Sequence, residues 1–278
     1  MATAAEVMGV ALVDKNSSRI FWFSGTGNSL YAAKYLAAKL GASLSQITDA
    51  APDEPVGGED AVVGVVFPSY YCNMPRAVYD FVQRLEIKPD TYVFAIVTMG
   101  GPGQGSVAAI KKALAAKGLS LSYGRGLKMP SNNVLLYNPA EPEKAKHMAD
   151  EIKQNLQNFG ADIKNGKRLI KSHPFIMHRH FKNISKIDAP FAADDNCISC
   201  KFCEKICPVR NIKLENGKPQ WLGHCQMCVA CISWCPKKSI NYGEKTKSRR
   251  RYCNPNIKSD EIKMAANNRI ISNSSTTD

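Results

Sequence analysis

The chain has 278 residues, of which 44% are hydrophobic and 8% aromatic, so it can fold as one large domain or as a large and a small one. No stretch approaches the roughly 20 apolar residues of a membrane-spanning helix, which argues against an integral membrane protein. The first residues lack the basic start of a secretory signal. Ten cysteines in such a chain favour metal binding over disulfides, and we expect a reducing compartment, the cytoplasm.

Positive charge is concentrated in the second half of the chain. The net charge is +13 overall, with +1 on residues 1–165 and +12 on residues 166–278. Eight of the ten cysteines lie in the same half, between Cys197 and Cys235. The basic character and the candidate metal ligands therefore belong to the same part of the protein.

Short apolar runs alternate with helical periodicity from residue 19 to about residue 165, a pattern typical of α/β sheet proteins. Three runs are apolar on both faces and predict buried parallel strands, and two weaker runs complete the set. The predicted strands are Ile20–Ser24, Leu44–Ile47, Ala61–Phe67, Thr91–Val97 and a part of Leu119–Met129.

Helices are predicted between these strands. The first contains Leu30 and ends at Leu40 with Gly41 as its cap, the second begins at Pro75, and the third ends at Gly118. A longer fourth helix is predicted over 145–159. This alternation predicts a doubly wound parallel sheet of five strands, in the flavodoxin-like order 2-1-3-4-5.

A glycine-containing loop, Ser24-Gly25-Thr26-Gly27-Asn28-Ser29, follows the first predicted strand and opens the first helix. Backbone N–H groups at a helix start, with hydroxyl groups close by, form a phosphate cradle. The loop contains no Lys or Arg, which favours a monophosphate over a triphosphate. It matches neither a Walker loop nor the Gly-x-Gly-x-x-Gly dinucleotide fingerprint. An ordinary glycine-rich turn is the alternative.

Two further loops are expected at the same crevice, because the strand order reverses there. The loop at 68–75 contains Tyr70 and Tyr71, either of which is suited to stack on a flavin ring. The loop at 98–105 forms a second wall. Besides 24–29, the candidate cofactor-binding residues are Pro68, Ser69, Tyr70, Tyr71, Asn73, Thr98, Gly100, Gly101 and Gly103.

Two cysteine runs share one spacing, Cys-x2-Cys-x2-Cys-x3-Cys-Pro, and begin at Cys197 and Cys225. Thiolates are soft ligands for iron in a sulfide cube, and one tight loop can present three of them. This is the run of two-cluster bacterial ferredoxins, in which the fourth cysteine ligates the other cluster. On that pattern one [4Fe–4S] cluster takes Cys197, Cys200, Cys203 and Cys235, and the other takes Cys207, Cys225, Cys228 and Cys231.

Zinc is the alternative for paired Cys-x2-Cys units. A zinc site needs neither a third cysteine at the same spacing nor a proline after the fourth. Both features occur twice here, at Pro208 and Pro236, so we expect iron–sulfur clusters.

The motifs resemble two known families joined in one chain. The loop Ser24–Ser29 is similar to the FMN-phosphate loop of flavodoxins, and the cysteine runs resemble two-cluster bacterial ferredoxins. Their order, with the stretch Pro68-x-Tyr70…Met74-Pro75, resembles the flavodoxin–ferredoxin fusion proteins of anaerobes. The resemblance covers about residues 19–243 and is weak in the connector. It implies FMN, two [4Fe–4S] clusters and electron exchange with a redox enzyme.

Five segments are therefore expected. An N-terminal extension (1–18) precedes a flavodoxin-like FMN-binding domain (19–165). A basic connector (166–190) leads to a small α+β ferredoxin-like domain with two clusters (191–243). A basic C-terminal tail (244–278) follows.

Electron transfer is the function that these cofactors favour, with electrons passing between a redox partner protein, the clusters and FMN. The alternative is an enzyme in which FMN reduces a small molecule or metal cofactor. The loops at 68–75 and 98–106 offer it no Asp or Glu as a proton donor. The basic run Lys245–Arg251 is expected to dock a partner with an acidic surface; a nucleic acid, a membrane surface or plain solvation are the alternatives. A nucleic-acid binder would leave the phosphate loop unexplained.

Overall fold

The computed structural model describes residues 18–49, 55–173 and 187–262. Residues 1–17 of the predicted extension, 174–186 of the predicted connector and the tail beyond 262 lie outside the described residues. The first unit contains, in chain order, β1 (Ser18–Trp22), α1 (Asn28–Leu40), β2 (Ser43–Gln46), β3 (Val56–Gly58), β4 (Val62–Pro68), α2 (Arg76–Arg84), β5 (Leu85–Ile87), β6 (Tyr92–Met99), α3 (Gly105–Ala115), β7 (Leu121–Lys128), α4 (Pro142–His147), α5 (Ala149–Lys164) and β8 (Leu169–Ile170).

Six of these strands form one parallel sheet, in the order β2-β1-β4-β6-β7-β8. The central strands are apolar on both faces, and Val65, Phe94 and Ile96 are fully buried. Helix α1 packs on α5, and α2 packs on α3. The short strands β3 and β5 form a separate parallel pair. The chain therefore has the α/β architecture with a parallel sheet that its pattern predicts.

The prediction of five sheet strands was wrong by one. Strand β8 lies inside the predicted connector, where Leu169 pairs with Tyr123 and Ile170 pairs with Gly124. A strand of two residues is too short to show an alternating pattern, and it follows the basic pair Lys167-Arg168. The order of the other five strands agrees with the prediction.

The predicted long helix at 145–159 is two helices, α4 and α5, which meet at Met148. Pro142 starts the earlier helix, in a first-turn position that suits a residue without a backbone N–H. Asp150 and Glu151 lie in the first turn of α5, where the helix dipole favours negative charge. The cap predicted at Gly41 is confirmed, with φ of 69° and its N–H on the carbonyl of Ala37.

The second unit is small and contains the cysteine runs. Within the described residues, no helix of either unit is long and apolar enough to cross a bilayer. The elements of the second unit are β9 (Phe191–Ala193), α6 (Phe202–Ile206), β10 (Ile212–Glu215), β11 (Lys218–Trp221), α7 (Ala230–Trp234), β12 (Ile240–Tyr242) and a 3-10 helix (Glu244–Thr246). Strand β9 pairs with β12, and β10 pairs with β11, both in antiparallel orientation.

The backbone of this unit repeats itself at an offset of 28 residues, which is also the offset between Cys197 and Cys225. Ser199 and Met227 have φ of 54° and 55°, and Lys201 and Val229 have φ of 58° and 56°. Such left-handed residues turn successive N–H groups inward, and these concave nests accept anions, including iron–sulfur clusters. The sequence repeat is thus also a repeat of conformation.

The contact between Gly64 and Phe94 gives a stability prediction. A Cβ placed on Gly64 of β4 would lie 2.2 Å from the ring of Phe94, which is fully buried on β6. Gly64→Ala is expected to lower the free energy of unfolding by about 1–3 kcal/mol through overpacking.

The matched control is Gly101→Ala, because no atom lies within 4 Å of a Cβ built there. We expect it to change the free energy of unfolding by less than about 0.5 kcal/mol. Thermal unfolding of the anaerobically purified proteins measures both. Equal midpoints for the two variants would contradict the packing argument.

Candidate cofactor sites

A cleft of about 280 Å³ lies at the carboxyl ends of β1, β4 and β6. The structure brings together there the three loops that the sequence analysis selected. Gly27, Asn73 and Gly103 are outside its lining. The predicted residues that line the cleft are Ser24, Gly25, Thr26, Asn28, Ser29, Pro68, Ser69, Tyr70, Tyr71, Thr98, Gly100 and Gly101.

The loop from Ser24 to Ser29, which we call the phosphate loop after its predicted role, ends in an open helix start. Gly27 adopts a left-handed conformation with φ of 94°, and its N–H donates to Ser24 Oγ at 3.1 Å. Helix α1 begins at Asn28, and Tyr31 is the residue whose N–H returns to the Gly27 carbonyl at 2.9 Å. The N–H groups in the first turn ahead of Tyr31 have no partner within the helix, as at any helix start. They are the donors that a phosphate at this loop requires.

The hydroxyl groups of the loop are held in place by neighbouring loops. Ser29 Oγ lies 2.7 Å from Thr98 Oγ1, at the end of β6. Asn132 donates from its side-chain nitrogen to Thr26 Oγ1 at 2.5 Å. The phosphate loop is therefore ordered by residues of the protein itself.

No Asp, Glu, His, Lys or Arg is among the described residues that line the cleft. A phosphate bound there would have only N–H groups, hydroxyl groups and amides as partners. The titratable groups on the cleft are tyrosines and cysteines. Burial, with nearby Cys228 and Cys225 thiols, raises the pKa of Tyr70 well above its ordinary value. Burial also raises the pKa of Tyr71, so both tyrosines are neutral at physiological pH.

Tyr71 and Cys72 occupy a strained turn. Their φ values of 51° and 58° are left-handed, which costs side chains other than glycine of order 1–3 kcal/mol each. Reciprocal backbone hydrogen bonds of 2.9 Å between Tyr70 and Asn73 close the turn. The turn holds Tyr71 on the cleft wall, which also includes the exposed side chains of Leu136 and Tyr137.

The eight cysteines of the two runs surround two small cavities. One is lined by Cys197, Cys200, Cys203 and Cys235, and we call these residues the outer set. The other is lined by Cys207, Cys225, Cys228 and Cys231, which we call the inner set. In each set three cysteines come from one run and the fourth from the other run. This grouping is the one that the ferredoxin pattern predicts.

Burial distinguishes the cysteines. Cys200 is exposed, whereas Cys207, Cys228 and Cys231 of the inner set are buried. Burial raises the pKa of the Cys225 thiol to about 12 and raises those of Cys228 and Cys231. Within the part of the chain that the structure describes, no three His, Cys, Asp or Glu side chains converge closely enough to hold a single metal ion. The cysteines of each set are instead arranged around a space.

One cysteine of the inner set, Cys228, forms part of the cleft wall. Met227, Cys228 and Val229 line the cleft together with the phosphate loop, and Cys228 and Val229 also line the inner cavity. Sequence reasoning missed this contact, because nothing in either motif indicates the other. A second missed wall comes from residues 129–137, after β7.

Two side chains of the cysteine-rich unit fasten it to the first unit. Trp234 donates from its indole nitrogen to the carbonyl of Gly25 at 2.9 Å. Gln226 accepts the N–H of Ala77 at 2.9 Å with its side-chain oxygen. This N–H is one of those at the start of α2 that Pro75, the capping residue, cannot satisfy with a side chain. The two bonds anchor the cysteine-rich unit at the loop from Ser24 to Ser29 and at the start of α2.

The segment after the cysteine runs packs back on the phosphate loop. Asn28 Oδ1 accepts hydrogen bonds from Tyr252 and from the side chain of Asn254, both at 2.9 Å. The N–H of Asn254 donates to the carbonyl of Thr26 at 2.8 Å. Residues 244–262 of the predicted basic tail are therefore part of the folded unit.

The arginines of the basic run donate to the protein itself. Arg249 donates to the carbonyl of Val134 at 2.8 Å, and Arg250 pairs with Glu141 at 2.7 Å. Arg251 donates to Asn241 Oδ1 at 2.7 Å. These contacts fix the segment against the cleft wall at 129–137 and against β12, and they leave these three arginines less available for an external partner.

No family model and no curated protein matches this chain. Among solved structures, a flavodoxin from Megasphaera elsdenii matches with 18% identity over 39% of this chain and 84% of that chain, at a TM-score of 0.31. A flavodoxin from the domain Archaea matches with 14% identity over 50% and 98%, at 0.30. An azoreductase from Bacillus anthracis str. Sterne matches with 9% identity over 53% and 99%, at 0.34.

The indole of Trp234 provides a test of the anchoring. Trp234→Phe removes the donor to the Gly25 carbonyl and keeps an aromatic ring, and we expect it to lower the free energy of unfolding by about 0.5–1.5 kcal/mol. Trp221→Phe is the matched control, because the buried Trp221 indole nitrogen has no hydrogen-bond partner in the described structure.

Thermal unfolding under identical anaerobic conditions compares the two variants. The Trp221→Phe protein should unfold at the higher midpoint of the two. A Trp234→Phe midpoint equal to or above that of Trp221→Phe would show that the bond to Gly25 does not stabilise the fold.

Proposed function

We propose that this protein binds FMN in the cleft and a [4Fe–4S] cluster at each cysteine set, and that it carries electrons between redox partners. The observation that carries the proposal is the shared wall: Cys228 and Val229 line both the cleft and the inner cavity. A flavin and a cluster bound at these places would be neighbours, with a polypeptide loop between them.

The cleft fits FMN in its chemistry. The phosphate has the helix start at Asn28 and the Ser24 loop, and the absence of cationic side chains from the described lining suits a single phosphate held by N–H groups. The ring has Tyr71 and Tyr137 as aromatic neighbours on the cleft wall. When bound, FMN supplies both one-electron and two-electron chemistry. The chain's own groups hold the cofactor and keep acidic side chains away from it.

The cysteine sets fit [4Fe–4S] clusters better than zinc. A zinc ion needs four ligand atoms within about 2.3 Å of one point. The outer and inner sets instead line cavities, and the left-handed residues Ser199, Lys201, Met227 and Val229 between the cysteines form anion-binding nests. A four-thiolate [4Fe–4S] cluster carries a net negative charge, for which such nests are suited.

Carriage of electrons is favoured over reduction of a substrate. A reductase needs a proton donor beside the flavin, and the described lining of the cleft offers tyrosines whose pKa is raised by burial. The nucleic-acid alternative loses support because Arg249, Arg250 and Arg251 donate within the protein. A redox partner with an acidic surface and a cytoplasmic location remain part of the proposal.

The cluster assignment is tested by a cysteine series. Protein purified without oxygen should contain about eight irons and about one FMN per chain. Cys225→Ser is expected to remove about half of the iron, because it breaks the inner set alone. Cys72→Ser is the control, since Cys72 lies on the flavin cleft and in neither set, and it should keep all the iron.

The crossed arrangement makes a sharper distinction. Cys207→Ser should give the same EPR spectrum of the reduced protein as Cys225→Ser, although the two residues belong to different runs. Cys235→Ser should resemble Cys197→Ser instead. Zinc in place of iron, or spectra that group by run, would contradict the assignment.

The phosphate loop is tested through Ser24. Ser24→Ala removes the acceptor that holds the Gly27 N–H, and we expect the dissociation constant of FMN to rise by about tenfold, which corresponds to about 1.4 kcal/mol. Riboflavin, which lacks the phosphate, should bind both proteins equally. Ser120→Ala, at an exposed serine outside the cleft, is the control.

Quenching of flavin fluorescence on the flavin-free protein gives the dissociation constants, and the iron content should be the same in all three proteins. If Ser24→Ala weakened riboflavin as much as FMN, the loop would not be the phosphate site.

A further inference from the structure

The inner set is enclosed between the two units. The backbone of Cys228 contacts Gly25, and the side chains of Gln226 and Trp234 bond to the first unit on either side of it. Cys228 and Ala230 belong to the large hydrophobic core of the first unit. This set therefore faces the flavin cleft and has little surface of its own.

The outer set is the more exposed of the two, with Cys203 as its one buried cysteine. Cys200 is exposed, and Ile198 beside it is an apolar side chain with 57% of its surface exposed. Helices α6 and α7 pack together and carry Cys203 and Cys231, so the two sets are adjacent through these helices. A path from the surface to the cleft thus runs from the outer set to the inner set.

Exposed lysines surround the outer set. Lys201 and Lys237 line its cavity, and Lys205 and Lys238 are exposed nearby in the chain. Across the described ranges, none of these four lysines forms an ion pair; Lys218, by contrast, pairs with Asp195. We call Ile198, Lys201 and Lys237 the outer face.

The repeat shows that three positions of this surface differ in charge or polarity between the two copies. At the offset of 28 residues, Ile198 corresponds to Gln226, Lys201 to Val229, and Lys205 to Ser233. The conformations match, yet the copy that is covered by the first unit carries neutral residues at these positions. Lys201 and Lys205 therefore belong to the first copy, whereas Lys237 and Lys238 follow Cys235, the cysteine that the second copy contributes to the outer set.

We infer that the outer face is the docking site for a one-electron redox protein with an acidic surface, and that electrons pass between this partner and the flavin through the outer set and then the inner set. The inference rests on the proposed function. An apolar centre with a positive rim is suited to transient binding of an acidic partner, and charge complementarity raises the rate of encounter. Each docked donor loses one electron; two such electrons, with protons from the solvent, complete the reduction of the flavin.

Charge reversal at two places tests the docking site. Lys201→Glu/Lys237→Glu changes the outer face, and Lys245→Glu/Lys247→Glu makes the same change in net charge at exposed lysines of the basic run. The probe is a purified acidic plant-type ferredoxin, reduced and freed of excess reductant. Stopped-flow absorbance follows reduction of the flavin, and calorimetry gives the dissociation constant without any turnover.

We expect the outer-face variant to lower the second-order rate constant and to weaken binding, each by about tenfold at low ionic strength, with the difference shrinking at about 0.15 M salt. The variant in the basic run should change both by less than about twofold. Equal effects of the two variants, or a larger effect in the basic run, would overturn the inference.

A second variant tests the order of the two sets. Cys200→Ser disrupts the exposed set, and reduction of the flavin by the ferredoxin should fall by about a hundredfold, at least tenfold more than its reduction by a small viologen, which needs no docking site. Undiminished reduction by the ferredoxin would show that the outer set is not the entry point. The iron and flavin content distinguishes the two possible failures. Purified protein without iron and flavin would contradict the proposed function. Protein that contains both cofactors but does not show the expected rates would contradict only this inference.

Discussion

The backbone of Gly25 lies directly against the backbone of Cys228, and the rest of the arrangement depends on this contact. A Cβ on residue 25 would lie 2.0 Å from the Cys228 carbonyl oxygen, a distance that no side chain tolerates. Because neither atom belongs to a flexible side chain, any residue other than glycine would have to separate the two units. The same glycine contributes to the phosphate loop and accepts the Trp234 indole through its carbonyl. Gly25 therefore takes part both in the loop of the first unit and in the contact that positions the cysteine-rich unit.

The sequence was informative wherever a pattern is local. Buried parallel strands such as β4 and β6 are continuous apolar runs, and Gly41 ends α1 in the left-handed conformation that its residue type favours. The phosphate loop and the cysteine runs are likewise short motifs whose spacing reflects local geometry. The structure lines two cavities with the cysteines in the grouping that the spacing predicts, and the binding of cofactors by these residues stays a prediction.

What the sequence could not show are the contacts that depend on how distant segments meet. Gln226 is an ordinary polar residue between two cysteines until its oxygen reaches the N–H of Ala77, 149 positions away. Asn254 resembles a residue of a solvated tail, yet its side chain bonds to Asn28. The strand β8 was missed for a different reason, because two residues carry no periodicity. To predict the contacts of Gln226 and Asn254, one would have to know which loops lie next to each other at the cleft.

The matched backbones of the two cysteine runs have a consequence for how such a module can change. In the run that begins at Cys225, Gln226 and Trp234 bond to the first unit and Val229 lines the cleft. A substitution at any of these residues disturbs the packing between the two units or the wall of the cleft. The corresponding residues of the run that begins at Cys197 are Ile198, Lys201 and Ile206. Of these, Ile198 and Lys201 are exposed to solvent and Ile206 is buried. A duplicated motif has thereby acquired one copy that is held constant by its surroundings and one that is open to variation. Substitutions at the exposed positions Ile198 and Lys201 can therefore alter the surface without touching the contacts that hold the two units together.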